Sequence, residues 1–258
     1  MTGTWVGTSW KMTKTLAEAR DYCARLATVA PERWPGLTPF VLPPATALAT
    51  VVDALGPGSP IVVGAQNAHW EDAGAWTGEV SVPQIADAGA RIVEIGHSER
   101  RTHFGETDGS VNCKIEAALR HGVRPLVCVG EGDDVFRAGG SVEFVCAQVD
   151  AALDGLGDVV DVLVAYEPVW AIGTSGRPAR PDEVAPVFNA LRREYKGRLA
   201  GLLYGGSVTG DNARDLLDVP GNDGLFIGRA AWDVENFIRI LDLASQHRAV
   251  PAAAPPTL

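Results

Sequence analysis

The chain alternates between short, almost wholly apolar runs and longer segments whose apolar residues recur at helical spacing. The apolar runs fall at 5–7, 40–42, 61–65, 91–95, 126–129, 162–166, 201–204 and 225–227. They lack the polar alternation of a strand with one wet face, so they predict strands covered on both sides. Helical patterns occupy 15–29, 45–55, 111–121, 141–153, 182–195, 212–217 and 234–246. A weaker one follows Ser81-Val82-Pro83, where proline suits the first helical turn. Thr15 and Glu18 form a capping box that opens the first helix, with Leu16, Cys23 and Leu26 on its expected apolar face. Strands and helices in strict alternation predict parallel βα units.

Two architectures compete. A doubly wound sheet usually carries G-x-G-x-x-G after its first strand, but here that strand runs into Gly7-Thr8-Ser9-Trp10-Lys11-Met12. The 258 residues divide by eight into units of about 32, the size of one strand–helix step in an eight-fold barrel. The expected fold is therefore a single-domain α/β protein, a (β/α)8 barrel over 1–248. The Pro- and Ala-rich stretch 249–258 reads as a disordered tail.

Composition narrows the function. With 22 basic and 32 acidic residues, the net charge of −10 argues against nucleic acid as a partner. An anionic ligand has to be captured locally, against the overall field. Cys23, Cys113, Cys128 and Cys146 are widely spaced, as in a reduced cytoplasmic protein. Neither a signal peptide nor an 18-residue apolar run is visible, so no membrane association is expected.

In such barrels the active groups lie at the C-terminal ends of strands. Glu167 closes the apolar run Val162-Leu163-Val164-Ala165-Tyr166, so it should emerge into a half-dry site where a carboxylate is basic enough for proton abstraction. A structural ion pair is an equally good reading of Glu167 alone. His97, before an apparent helix start, should stay neutral and free to donate to a carbonyl; taken alone it reads more simply as a helix-entry residue. Lys11 is either a cation for a phosphate or enolate, or a solvated loop lysine. His69, His103, His121 and His247 read as structural. Gly205-Gly206-Ser207 and Gly228 expose backbone N–H groups where barrels hold phosphate. The stretch Pro168-Val169-Trp170-Ala171-Ile172-Gly173-Thr174 is too apolar for a purely solvated loop. It reads as a lid that excludes water, or as a fixed loop buried against a partner.

Four segments together resemble the triosephosphate isomerase family, the TIM barrels. They are Trp10-Lys11-Met12, Gly96-His97-Ser98-Glu99-Arg100-Arg101, Ala165-Tyr166-Glu167-Pro168-Val169-Trp170-Ala171-Ile172-Gly173-Thr174 and Tyr204-Gly205-Gly206-Ser207-Val208. The roles that follow are inherited from the resemblance. Glu167 is implied as the base, neutral His97 as the electrophile, Lys11 as the electrostatic group and Glu99 as a supporting carboxylate. Phosphate is implied on the backbone N–H groups of Gly173, Ser207 and the Gly228 turn, with 168–174 as the lid. The segment 66–80, with Thr77, resembles an arm that reaches into a neighbouring subunit, which implies a homodimer. No metal and no organic cofactor are implied.

Two positions depart from the family. Ser9 stands where the family normally has Asn, and Gly228-Arg229 replaces its paired glycines. Gly-Thr-Ser-Trp-Lys-Met together with Ile-Gly-Arg-Ala-Ala-Trp resembles the branch that isomerises erythrulose phosphates. The implied reaction is L-erythrulose 1-phosphate to D-erythrulose 4-phosphate, which belongs to erythritol catabolism. The alternative is triosephosphate isomerisation, as in glycolysis. A more remote one is a barrel that binds sugar phosphates without turnover. Arg229 either adds charge near the phosphate or pins the outer loop.

Overall fold

The computed structural model describes residues 3–29, 31–158, 161–173 and 176–249. Eight strands form a closed parallel barrel in sequence order: β1 (Thr4–Ser9), β2 (Leu37–Leu42), β3 (Val62–Ala65), β4 (Ile92–Ile95), β5 (Arg124–Val129), β6 (Leu163–Tyr166), β7 (Gly201–Tyr204) and β8 (Gly224–Ile227). β8 pairs back on β1, with Val6 beside Leu225. The strand pattern thus lands on the observed strands to within three residues at either end.

The period of two sorts each strand's side chains. Trp5, Phe40, Leu42, Ile92, Leu126, Cys128, Leu163, Ala165, Leu203 and Phe226 fill the barrel interior. Their neighbours, among them Val6, Val41, Val93, Val127, Val164, Leu202 and Leu225, face the helices in a second, larger core. Each large side chain so buried contributes roughly 1.5–3 kcal/mol of transfer free energy. Glu94 of β4 shares the inward face with Ile92, two residues before it, and is buried.

The outer layer holds α1 (Leu16–Ala27), α2 (Leu48–Leu55), α3 (Val82–Asp87), α4 (Ser98–His103), α5 (Asp108–Arg120), α6 (Asp133–Arg137), α7 (Ser141–Ala152), α8 (Pro181–Glu194), α9 (Ala213–Leu217) and α10 (Val234–Ala249). The Thr15–Glu18 capping box forms as expected. The expected apolar face of α1 needs a correction. Leu16 is 42% exposed, while Ala19, Tyr22, Cys23 and Leu26 are buried. As the first helical residue, Leu16 lies beyond the edge of the α1–core contact. The pattern over 45–55 divides into a 3₁₀ turn at Ala45–Ala47 followed by α2, and α6 is too short to show a period in the sequence. Helix α10 runs through Ala249; the rest of the expected tail, 250–258, lies outside the described residues. No helix among the described residues is long and apolar enough to cross a membrane.

Candidate active site

The C-terminal end of the barrel opens into a cavity of about 400 Å3, lined by Ser9, Lys11, His97, Glu99, Glu167 and the turns after β7 and β8. A second cavity of about 490 Å3 adjoins it and shares Ser9, Lys11, His97 and Glu99. The catalytic candidates thus converge from the ends of β1, β4 and β6, although up to 158 residues separate them in sequence (Ser9 to Glu167).

Glu167 is more deeply buried than the half-dry mouth expected for it, at 3% exposure. Its N–H donates to the Val129 carbonyl (2.7 Å), which continues the β5–β6 ladder one step past the strand. A Cβ on Gly205 would sit 2.6 Å from the Glu167 Cγ, so glycine there is what lets the carboxyl stand over β7. The carboxyl's Oε2 has no hydrogen-bond partner among the described residues. Burial, reinforced by the charge of Glu94, pushes its pKa up to about 8. A carboxylate that is poorly solvated and unpaired is a strong base.

His97 faces it, with Nε2 3.5 Å from Glu167 Oε2. The ring is the N-cap of α4: Nδ1 accepts the Glu99 N–H at 3.1 Å. That bond leaves the proton on Nε2, pointing at the cavity. Burial, then the field of Lys11, lowers the His97 pKa to about 4. The expected neutrality holds, but its main cause is desolvation rather than the helix end.

Lys11 adopts φ 52°, a left-handed conformation that a non-glycine residue holds at a cost of order 1–3 kcal/mol. Gln66 Nε2 fixes it by donating to the Lys11 carbonyl (3.1 Å) and to that of Leu42 (2.9 Å). The Lys11 Nζ donates to Glu99 Oε1 at 2.8 Å. Burial works to lower the ammonium's pKa, but the Glu99 bond and the charges of Glu167, Glu99 and Glu94 hold it above its ordinary value. Lys11 therefore stays a cation, and it is not the freely solvated loop lysine considered above.

The glycine turns and Arg229 line the far wall of the first cavity, with Gly173 and Ser207. Arg229 opens a 3₁₀ turn, Arg229–Ala231, at that wall. Ser207 is occupied in this state: its N–H (3.1 Å) and Oγ (2.7 Å) both donate to the Ala171 carbonyl. A phosphate on that amide has to displace Ala171. Trp170 and Ala171 are buried in a 3₁₀ turn, Val169–Ala171, whereas Val169 is 37% exposed. Thr174 of the expected lid lies outside the described residues.

Three acidic residues escaped the reading of the sequence. Glu131 is fully buried, and its Oε1 accepts from Trp170 Nε1 (2.9 Å), Tyr166 OH (3.1 Å) and Ser141 Oγ (2.9 Å), anchoring the lid segment. Glu106 accepts from the Gly96 N–H (3.0 Å) and Arg100 Nε (2.7 Å), and so sets the loop that presents His97. Glu94 accepts the Ser9 hydroxyl at 2.8 Å. A charged residue inside the apolar run Ile92-Val93-Glu94-Ile95 was the available signal for the last.

A model of the triosephosphate isomerase family matches residues 4–244 of this barrel. The chain belongs to the triosephosphate isomerase family. Within the family it is 56% identical over 246 residues to a Mycolicibacterium smegmatis protein named L-erythrulose-1-phosphate isomerase, with 94% of each chain covered. It is 50% identical to a protein of that name from Mesorhizobium japonicum, covering 93% of this chain and 97% of the relative. A third, from Brucella abortus, is 46% identical, with 93% and 96% covered. These relatives match nearly end to end.

Proposed function

We propose that the protein is a cofactor-independent sugar-phosphate isomerase that interconverts L-erythrulose 1-phosphate and D-erythrulose 4-phosphate through an enediolate. The observation that carries this reading is an unpartnered, buried Glu167 oxygen 3.5 Å from the Nε2 of neutral His97. Glu167 takes the proton from the carbinol carbon beside the carbonyl. His97 Nε2–H stabilises the oxygen that gains charge, with Lys11 adding a fixed positive field. Glu167 then returns the proton to the neighbouring carbon while His97 carries the hydroxyl proton from the oxygen that becomes the carbonyl to the one that becomes the hydroxyl, so the carbonyl moves by one position and nothing is lost. Phosphate sits at the Gly173, Ser207 and Gly228 turns, beside Arg229, and the lid segment from Pro168 to Gly173 covers it.

The four-carbon substrate is dihydroxyacetone phosphate with an extra hydroxymethyl group on the carbon that loses its proton. Ser9 supports that choice over the triose, because its side chain is shorter than the family's Asn and leaves space beside His97. The names of the three relatives point the same way. Ser9→Asn should lower the ratio of kcat/KM for L-erythrulose 1-phosphate over dihydroxyacetone phosphate by about tenfold or more. An unchanged ratio would remove Ser9 from substrate choice.

The working unit in this reading is a homodimer in the cytoplasm. Met12 (98% exposed) and Phe104 (68%) rim the second cavity, and the arm holding Thr77 ends in an exposed Trp76 (48%). Apolar side chains this exposed call for a partner surface. A second copy's arm entering that cavity would press on Lys11, His97 and Glu99. Thr77→Arg should therefore yield monomers by analytical ultracentrifugation, with kcat about 100-fold lower, since the catalytic groups lose their outer support. Full activity in a monomeric variant would refute the coupling. The free thiols of the described structure, Cys23, Cys113, Cys128 and Cys146, suit a reducing compartment.

A further inference from the structure

Glu94 is the one fully buried charged side chain on a strand among the described residues; its neighbours inside the barrel are mostly apolar, apart from Ser9 beside it and the part-exposed Arg124, whose guanidinium lies over Trp5. A carboxyl in such a place normally has a cation or several donors to offset its desolvation. Glu94 has neither. Its Oε2 accepts the Ser9 hydroxyl, and no other hydrogen bond reaches the carboxyl among the described residues. Lys11, whose charge acts on it, gives its hydrogen bond to Glu99 instead. Glu94 is thus costly to bury and adds little to stability, which points to work on a ligand.

Its position says which part of a ligand. Glu94 lines the second cavity beside Ser9 and His97, and both of these also line the first cavity, where Glu167 stands. The carboxyl therefore lies on the second cavity, against the Ser9 hydroxyl at the boundary that it shares with the first. The Glu94 carboxylate repels an anion in this space, and the phosphate turns at Gly173, Ser207 and Gly228 line the first cavity and not the second. What fits is a neutral donor: the hydroxyl of a hydroxymethyl group carried by the reacting carbon, pointing away from the phosphate. An ionised carboxylate accepts that hydrogen strongly, and even a protonated one keeps an acceptor oxygen. Burial raises the Glu94 pKa to about 7, so both forms are populated in use.

We propose that Glu94, held by the Ser9 hydroxyl, forms a hydroxymethyl subsite that takes the terminal hydroxyl of the four-carbon substrate. The inference rests on the tetrulose reading given above. Ser9 then acts twice, since it leaves space and also aims a carboxylate into that space. Glu94 is then a specificity-determining residue, in contact with the substrate but not with the proton in flight.

The test compares kcat/KM for L-erythrulose 1-phosphate and dihydroxyacetone phosphate in wild type, Glu94→Leu and Glu94→Gln, with thermal melts on each. The triose lacks the hydroxymethyl group, so it reports every effect of Glu94 except the one proposed. In Glu94→Leu the tetrulose-to-triose ratio should fall about 100-fold, the usual weight of a hydrogen bond to a charged group. Glu94→Gln keeps an acceptor oxygen and the side-chain shape, and should lie between wild type and Glu94→Leu. Should Glu94→Leu fail to fold, a fall of about tenfold in the ratio for Glu94→Gln supports the subsite in its place. A loss equal for both substrates, or an unchanged ratio, would overturn the subsite. A wild-type preference for the triose would instead overturn the substrate reading on which it rests.

Discussion

Glu167→Ala should lower kcat by about 10⁴-fold, the upper range for a positioned general base, while inorganic phosphate still competes for the site. The size follows from the burial of Glu167 and its unpartnered oxygen, since no other carboxylate faces His97 so closely. A barrel that only binds sugar phosphates would show no turnover to lose, and unchanged turnover in the variant would take Glu167 out of the mechanism. The same residue dictates a pH profile. The base works ionised, and burial holds its pKa near 8, so wild-type kcat/KM should rise with pH through about 8 and fall below it. The substrate phosphate ionises near pH 6, below that limb. The groups around the carboxyl are Glu94, Lys11, Cys128, Glu99 and neutral His97, and after burial the negative charge of Glu94 is the main influence raising its pKa. A limb centred at the ordinary carboxylate value, near 4, would contradict the desolvated base.

His97→Ala should cost about 100- to 1000-fold in kcat, the range for removing one donor to a developing oxyanion. Because the ring is buried beside Lys11 and its pKa is held near 4, His97 is neutral through the working range. Wild type should therefore show no transition between pH 5 and 7 that disappears in His97→Ala. The alkaline limb should persist in the variant, since Glu167 and not His97 carries it. Proton resonances of the His97 ring check the same point directly: a ring that titrates with a midpoint near 6.5 would require an imidazolium and a different role.

The barrel was legible because both of its signals are local. Continuous apolar runs mark strands covered on two faces, and the Thr15–Glu18 box and Pro83 mark helix starts. Leu16 shows the limit: helical spacing assigns a face but not where the neighbouring surface ends. At the site, Glu167, His97 and Lys11 could be named because each ends a strand or follows one closely. Glu94 and Glu131 could not, since their meaning depends on partners far away in sequence, and Glu106 takes its role only from the folded loop that brings it to Gly96 and Arg100. Glu94 reads as a flaw in a strand until Ser9, 85 residues earlier, is seen donating to it. Glu131 gains its role from Tyr166, Trp170 and Ser141 converging on one oxygen. The state of Ser207 was equally hidden, because its bond to Ala171 belongs to the folded loops rather than to the glycine-rich motif.

The net charge of −10 also acquires a local meaning. The cavity floor holds Glu94 and Glu167, and the cations near it are Lys11 and, on the phosphate side, Arg229. An anionic substrate thus meets a polarised site, which orients it phosphate-outward before any specific bond forms.

The choice of substrate decides the rest, and one measurement addresses it: kcat/KM for L-erythrulose 1-phosphate and for dihydroxyacetone phosphate on a single preparation of the wild-type protein. A site built to receive an extra hydroxyl should give a value at least about tenfold higher for the tetrulose. A value for the triose far above that for the tetrulose would contradict it.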